Sequence, residues 1–188
     1  MADEPTNSEP TVRIPVIVLN GFLGSGKTTL LRSLMVQCRE RSFDFGVVVN
    51  DMSELDIDGQ IVTQTELFEE GDHRFQSIND RVLSSRRGIE ELERALDEMV
   101  ADGPTALIII ETSGSCHPMP IVEFFASQSR FLLTGLLTLV DAAMVDQDYD
   151  GGRRIVPTMQ RNIQSDRRDT TNLLVEQMFF CSHLLLTK

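Results

Sequence analysis

Gly21-Phe-Leu-Gly-Ser-Gly-Lys-Thr28 is the stretch of sequence that decides the fold. It satisfies the pattern Gly-x-x-x-x-Gly-Lys-Ser/Thr in full, which is typical of loops that hold nucleotide phosphates. The apolar run at 14–19 predicts a buried strand before it, and apolar residues at helical spacing over 27–41 predict a helix after it. This strand–loop–helix order is the context that such loops require. The stretch therefore predicts binding of a nucleoside triphosphate with Mg²⁺.

Each position of the loop has a chemical reason. Glycines adopt backbone conformations closed to other residues, so successive N–H groups can face phosphate oxygens at a helix N-terminus. Lys27 is expected to reach the β- and γ-phosphates, and Thr28 to ligate Mg²⁺. The predicted nucleotide-binding residues of this loop are Gly21, Gly24, Ser25, Gly26, Lys27, Thr28 and Thr29.

A second motif, Leu107-Ile-Ile-Ile-Glu111-Thr-Ser-Gly114, places an acid after a predicted strand at 106–110. In open α/β sheets, ligands bind at the edge where parallel strands end. Glu111 is therefore predicted to hold Mg²⁺ together with Thr28, and to be catalytic together with Lys27. Gly114 is predicted to bring a backbone N–H to the γ-phosphate. The alternative is that Glu111 only caps the following turn.

Strand and helix patterns alternate along the rest of the chain. Further strands are predicted at 45–50, 135–140 and 183–187, and helices at 89–100, 118–127 and 173–180. Residues 52–85 are polar and irregular, and 147–168 resemble a solvated loop. This alternation predicts an α/β fold with an open, mostly parallel sheet and helices on both faces. Residues 1–11 are predicted to be a disordered acidic tail, which leaves one domain at 12–188.

The amino-acid composition excludes some classes of binding partner and of cellular location. The net charge of −12 opposes binding to nucleic acid. No apolar run reaches the roughly 18–20 residues that span a membrane. Three cysteines without a disulfide pattern, and an acidic start unlike a secretory signal, favour the cytoplasm. Only two of 17 basic residues are lysines, Lys27 and Lys188, and both lie in candidate nucleotide motifs.

Several stretches together carry a family resemblance: the phosphate loop, Glu111-Thr-Ser-Gly114, Val49-Asn-Asp-Met-Ser-Glu-Leu-Asp-Ile-Asp58, Val140-Asp-Ala142, Glu176-Gln177 and Leu184-Leu-Leu-Thr-Lys188. With them the chain resembles the CobW-type GTPases, cobalamin-synthesis-like metallochaperones related to the urease and hydrogenase nickel-insertion GTPases. The resemblance covers roughly residues 12–188. It implies binding and slow hydrolysis of GTP with Mg²⁺, and delivery of a transition metal, zinc or cobalt, to a client metalloprotein. A nucleotide-dependent dimer is a further expectation.

The resemblance also implies roles for individual residues. The segment from Asn50 onward corresponds to the first switch region, with Asp51, Glu54 and Asp58 as its candidate residues. Lys188 corresponds to the lysine of the guanine-specificity motif, whose stem lies along the base.

Two departures from the family pattern stand out. The positions of the usual Cys-x-Cys-Cys metal motif hold Arg81, Leu83 and Ser84, none of which supplies a soft ligand. The chain ends at Lys188, before the aspartate of the base-specificity motif. The GTPase domain is therefore expected to be C-terminally incomplete, or to bind guanine weakly, and metal delivery lacks its usual residues.

Two other functions are compatible with the same phosphate loop. An ATP-dependent small-molecule kinase has a similar phosphate loop, with Arg153 and Arg154 as candidate lid residues. A non-hydrolysing nucleotide-binding switch is the other alternative. As a replacement metal site, the pair Cys116-His117 at the sheet edge is favoured over Cys181 and His183, which are predicted to line the core.

Overall fold

The structure is a computed structural model, and it describes residues 12–50, 72–79, 81–101, 103, 105–167 and 169–188. These residues form one six-stranded, all-parallel sheet and six α-helices. The strands are β1 (Ile14–Asn20), β2 (Gly46–Val49), β3 (Phe75–Ser77), β4 (Ile108–Glu111), β5 (Phe131–Asp141) and β6 (His183–Thr187). The helices are α1 (Lys27–Glu40), α2 (Arg86–Met99), α3 (Pro118–Ser127), α4 (Ala142–Tyr149), α5 (Ile155–Gln164) and α6 (Thr170–Phe179).

The strand order, β3-β2-β4-β1-β5-β6, brings distant segments to one sheet edge. Leu19 of β1 and Val49 of β2 both pair with Glu111, and Leu19 also pairs with Leu137 of β5. Because all strands are parallel, their carboxyl ends lie together. The segments that follow β1, β2 and β4 therefore meet there, as the sequence patterns predicted.

The core lies on both faces of the sheet. Val16 and Val18 face one side, where they pack with apolar residues of α2 and α3. Leu19 and Ile17 face the other side and pack with residues of α1. Successive side chains of a strand point to opposite faces, so the apolar runs of β1, β2 and β4 fill both cores at once. The predicted α/β fold with helices on both faces is confirmed.

A third apolar cluster attaches α4, α5 and α6 beside β5. Its buried members are Val140, Ile155 and Leu174, and Phe22 of the phosphate loop packs against it. The prediction of a solvated loop at 147–168 is therefore wrong. Ile155, Met159 and Ile163 recur every fourth residue, which is helical spacing, but the surrounding arginines and glutamines obscure this stripe.

Several element boundaries also differ from the prediction. β5 begins at Phe131 rather than near 135 because it pairs along the whole of β1, starting with Ile14. α2 begins at Arg86, because the side chain of Ser85 accepts a hydrogen bond from the Gly88 N–H and caps the helix. β3 lies within the 52–85 segment that was predicted to be irregular. With three residues it is too short to show a period.

None of the helices in the described ranges is long and apolar enough to cross a membrane.

Candidate nucleotide site

The loop between β1 and α1 has backbone conformations that need glycine. Gly21, Gly24 and Gly26 have φ angles of 131°, 76° and 95°. At Gly21 a Cβ atom would also lie 2.2 Å from the carbonyl oxygen of Leu139, so a side chain would collide with β5. Gly26 immediately precedes the first turn of α1. The loop therefore turns sharply from the sheet edge into a helix N-terminus, where backbone N–H groups can bind an anion.

Lys27 reaches back over the start of this loop. Its Nζ atom donates to the carbonyl oxygens of Gly21, at 2.8 Å, and Phe22, at 2.9 Å. The residue is only 6% exposed. Burial of an ammonium is costly unless it is hydrogen-bonded, and the loop carbonyls supply such bonds. The one lysine in the first half of the chain thus lies inside the loop.

Thr28 and Glu111 meet although 83 residues separate them. The Thr28 hydroxyl donates to Oε1 of Glu111 at 2.6 Å, and Glu111 is 5% exposed. One hydroxyl and one carboxylate at this sheet edge form a pair of hard oxygen ligands of the kind that Mg²⁺ prefers. The residues present therefore fit a Mg²⁺ ion.

Gly114 packs directly against the phosphate loop. A Cβ atom on Gly114 would lie 2.6 Å from the backbone nitrogen of Leu23, so no other residue fits without moving the loop. The backbone after β4 and the phosphate loop are therefore in contact, as expected if both bind one ligand.

The end of β6 joins the same loop from the other side. The ammonium of Lys188 donates to the Gly24 carbonyl at 2.5 Å and to Oδ2 of Asp141 at 3.2 Å. The Thr187 hydroxyl donates to the Ser25 carbonyl at 2.8 Å. The hydrogen bond from Lys188 is the main reason why the pKa of Asp141 lies below its usual value. Lys188 thus lies beside the phosphate loop.

Sequence reasoning missed the side chains that hold these segments together. Asp141 and Thr187 fall within quoted stretches, but no role was given to either residue. Asn50, 1% exposed, donates from Nδ2 to the carbonyls of Ile78 and Arg81 at 2.7 Å each. Its Oδ1 accepts from the Leu83 N–H at 3.2 Å. The position of Asn50 directly after an apolar strand is the sequence feature that could have indicated this role.

The three positions of the usual metal motif have structural roles. Leu83 is fully buried in the core. Arg81 lies 3.6 Å from Oε1 of Glu91, and the Ser84 hydroxyl accepts a hydrogen bond from the His117 N–H at 3.1 Å. The candidate switch residues Asp51, Glu54 and Asp58 lie outside the described residues, and so does the tail at 1–11.

The candidate replacement site Cys116-His117 is not assembled as a metal centre. Cys116 is buried, and burial raises the pKa of its thiol, which disfavours the thiolate that a metal needs. The ring of His117 donates from Nδ1 to Oε2 of Glu176 at 2.7 Å. The residues that the structure describes contain no group of three His, Cys, Asp or Glu able to hold a metal ion.

The prediction that Cys181 and His183 line the core is wrong for His183, which is exposed. In the described sheet β6 pairs only with β5 and is therefore an edge strand. Cys181 is half-buried.

The chain is similar to several proteins of one nucleotide-binding family. The model of the family CobW/HypB/UreG, nucleotide-binding domain, matches residues 15–188. The zinc chaperone CobW of Pseudomonas aeruginosa is 33% identical over 77% of this chain and 40% of the relative. The zinc chaperone YjiA of Escherichia coli is 32% identical over 73% of this chain and 43% of the relative. The zinc-regulated GTPase metalloprotein activator 1 of Dictyostelium discoideum is 28% identical over 94% and 40%.

A solved structure supports the fold independently. A zinc-bound triple mutant of the YjiA GTPase superimposes with a TM-score of 0.52 and 23% identity, over 94% of this chain and 50% of that chain. The present chain spans less than half the length of the three curated relatives.

Proposed function

The chain belongs to the CobW/HypB/UreG family of nucleotide-binding domains, and from this membership we propose that residues 12–188 bind GTP with Mg²⁺ and hydrolyse it slowly. The observation that carries the proposal is the contact between Thr28 of the phosphate loop and Glu111 at the end of β4. It joins the two motifs that the chemistry requires, at the sheet edge where α/β proteins bind ligands.

Mg²⁺ would be held by the Thr28 hydroxyl and the Glu111 carboxylate, directly or through water. When bound, it would neutralise charge on the β- and γ-phosphates. The contact between Thr28 and Glu111 supports this assignment.

The protein's own residues bind the triphosphate and stabilise charge. Backbone N–H groups from Gly24 to Thr29, at the N-terminus of α1, bind the phosphate oxygens. The Lys27 ammonium, already placed inside the loop, exchanges carbonyl partners for the β- and γ-phosphate oxygens and stabilises the charge that develops as water attacks the γ-phosphorus. The N–H of Gly114, which packs against the phosphate loop, is proposed to donate to the γ-phosphate. We expect slow turnover, because the sequence assigns no arginine to the transition state.

Lys188 is proposed to bind the face of the purine base, while the preference for guanine over adenine is proposed from the family membership. Its ammonium is anchored on the Gly24 carbonyl and on Asp141, so its aliphatic stem crosses beside the phosphate loop. A stem held in this way offers an apolar surface for the flat side of a purine base.

Metal handling is the proposed purpose of the nucleotide cycle. The curated relatives are named zinc chaperones or a zinc-regulated metalloprotein activator, so we propose zinc as the cargo and a metalloprotein as the client. The three cysteines without a disulfide pattern support the cytoplasm as the proposed location. Cobalt is the second candidate, and a nucleotide-dependent dimer is a further expectation. Because residues 81–85 contain no thiolate, the cargo ligands are proposed to lie elsewhere.

The first test is competition between nucleotides. A fluorescent GTP analogue bound with Mg²⁺ should be displaced by unlabelled GTP at much lower concentration than by ATP. Displacement at lower concentrations of ATP would contradict the GTPase assignment and favour the kinase alternative.

The second test replaces the loop lysine. Lys27→Ala should weaken GTP binding by about 10- to 100-fold, because a hydrogen bond to a charged group contributes about 1.5–3 kcal/mol. It should also abolish phosphate release, measured with and without added zinc. Arg39→Ala, which removes an exposed cation from the same helix, is the control and should leave both unchanged. Phosphate release that persists without Lys27 would contradict the proposed role.

A further inference from the structure

Gln177 is a fully buried polar residue of α6, a helix that supplies none of the predicted nucleotide ligands. Its backbone carbonyl is held in place by the hydroxyl of Thr138, which donates to it at 2.9 Å. The side chain points away from its own helix toward the ends of β1 and β4. Burial of a side-chain amide costs free energy unless the amide forms hydrogen bonds inside the protein.

The amide nitrogen of Gln177 has three acceptors. Its Nε2 atom lies 3.0 Å from the Cys116 carbonyl, 3.3 Å from the Gly114 carbonyl and 3.3 Å from Oδ1 of Asn20. Three oxygens around one atom identify it as the nitrogen, since an amide oxygen could donate to none of them. One side chain thus binds the backbone on both sides of Ser115.

Asn20 extends this contact to the phosphate loop. Its Oδ1 atom accepts from the Gly21 N–H at 2.8 Å and from the Thr112 hydroxyl at 3.0 Å. The first residue of the phosphate loop and the segment 112–116 therefore share one buried network with Gln177 (named below the amide network). Networks of this kind fix relative positions, because each lost bond leaves a buried group unpaired.

The segment held by this network is the one that approaches the end of a bound triphosphate. The Gly114 backbone already packs against Leu23 of the phosphate loop. A shift of Gly114 by a fraction of an ångström changes a hydrogen bond to a phosphate oxygen, because hydrogen bonds weaken steeply with distance and angle.

We propose that Gln177 is a positioning residue that holds Gly114 in place to bind the γ-phosphate, and so determines how strongly the protein prefers GTP to GDP. The inference rests on the proposed function, since it needs a guanine nucleotide in the phosphate loop. Gln177 touches no nucleotide itself. GDP lacks the phosphate that Gly114 would contact, so its binding should depend little on the position of Gly114.

The test is Gln177→Met, which keeps the length of the side chain and removes its donors. Binding of a non-hydrolysable GTP analogue should weaken about tenfold, the loss expected for one hydrogen bond to a charged group. Binding of GDP should change by less than about twofold. Leu96→Ala, a core truncation on α2, is the control for lost stability and should leave the ratio of the two affinities unchanged.

The outcomes separate this proposal from the proposed function. If the wild-type protein binds neither nucleotide, the proposed function and the role of Gln177 both fail. If the wild type binds GTP but Gln177→Met weakens both nucleotides equally, or neither, only the positioning role is overturned.

If Gln177→Met does not fold, a measurement on the wild-type protein still tests the proposal. Hydrogen exchange of the backbone should slow at 113–116 and at 174–179 together when the GTP analogue replaces GDP. Slowing at 113–116 without any change at 174–179 would overturn the proposal.

Discussion

Polar side chains at the ends of strands connect the parts of the nucleotide site. Asn20, Asn50 and Asp141 each follow or end an apolar strand, and each binds backbone or side chains of a neighbouring segment. In the interior such groups are stable only when paired, so their partners come into register with them. Asp141 has two tasks. It caps α4 by accepting from the Ala143 N–H, and it binds the ammonium of Lys188.

Asp141→Asn separates these two tasks, because asparagine is as good a helix cap but carries no charge. Lys188 holds the pKa of Asp141 below the ordinary value of 3.8. A lowered folded-state pKa means that the stabilisation is complete above the unfolded-state value and is lost as pH falls through the folded-state value. The wild type should therefore unfold at higher urea than Asp141→Asn at pH 7. The difference should shrink as the pH falls below 3.8 and vanish only below the lower folded-state pKa.

The control for this prediction is the Lys188→Met background. There the pH dependence of the difference between Asp141 and Asn should become smaller, because the charge partner is gone. It should not disappear, because the N–H groups of Ala143 and Met144 still lower the pKa of Asp141. A difference in urea midpoint that stays constant from pH 7 to pH 3 would show that the ion pair does not contribute.

At the scale of elements, tertiary contacts override local propensity. Helix α2 contains Gly88, which intrinsic propensity marks as a weak position for a helix. Yet a Cβ atom at Gly88 would lie 2.2 Å from the Val82 carbonyl oxygen and 2.8 Å from the Leu83 Cα atom. The close approach lets the segment before the helix fold back onto its first turn, where Ser85 caps it.

Gly88→Ala should therefore destabilise the protein, by about 1–3 kcal/mol, because the backbone must move to admit a methyl group. Propensity alone predicts the opposite sign, a gain of about 1 kcal/mol. Urea unfolding distinguishes the two. Arg87→Ala, at the exposed neighbouring position, is the matched control and should change stability by less than about 0.5 kcal/mol. A stabilised Gly88→Ala variant would contradict the packing of this turn.

At the scale of the whole molecule, the phosphate loop is part of the packing. Phe22 of the loop contacts the cluster formed by Val140, Ile155 and Leu174, so helices α4 to α6 and the loop share apolar contacts. Lys188 and the amide network add polar links across the same region. Ligand binding at the loop should therefore stabilise the fold as a unit.

With Mg²⁺ present and GTP at 100 times its dissociation constant, the free energy of unfolding should rise by about 2.7 kcal/mol. Thermal or urea unfolding with and without nucleotide measures this shift. The Lys27→Ala variant, at the same GTP concentration, should show a much smaller increase. An equal increase in both proteins would mean that the nucleotide does not bind through the phosphate loop.

Local sequence patterns predicted much of the fold. The phosphate loop, the apolar strands and the helices at 27–41 and 118–127 were predictable, because short-range spacing determines which face of an element is apolar. The family was predictable too, since its motifs are contiguous stretches of sequence, and the family match confirms it. The helices within 142–164 were not. These helices have few apolar residues, and those residues stabilise them only by packing against α6 and β5.

By itself, the sequence determined the phosphate loop, the acid at Glu111 and the alternation of strands and helices, because each depends on neighbours a few residues away. Only the tertiary structure decided that Thr28 donates a hydrogen bond directly to Glu111, that Asp141 binds Lys188 beside the loop, and that Gln177 binds Gly114. The partners in these three contacts lie 83, 47 and 63 residues apart along the chain. Contacts at such separations follow from strand order and register, which no local pattern contains.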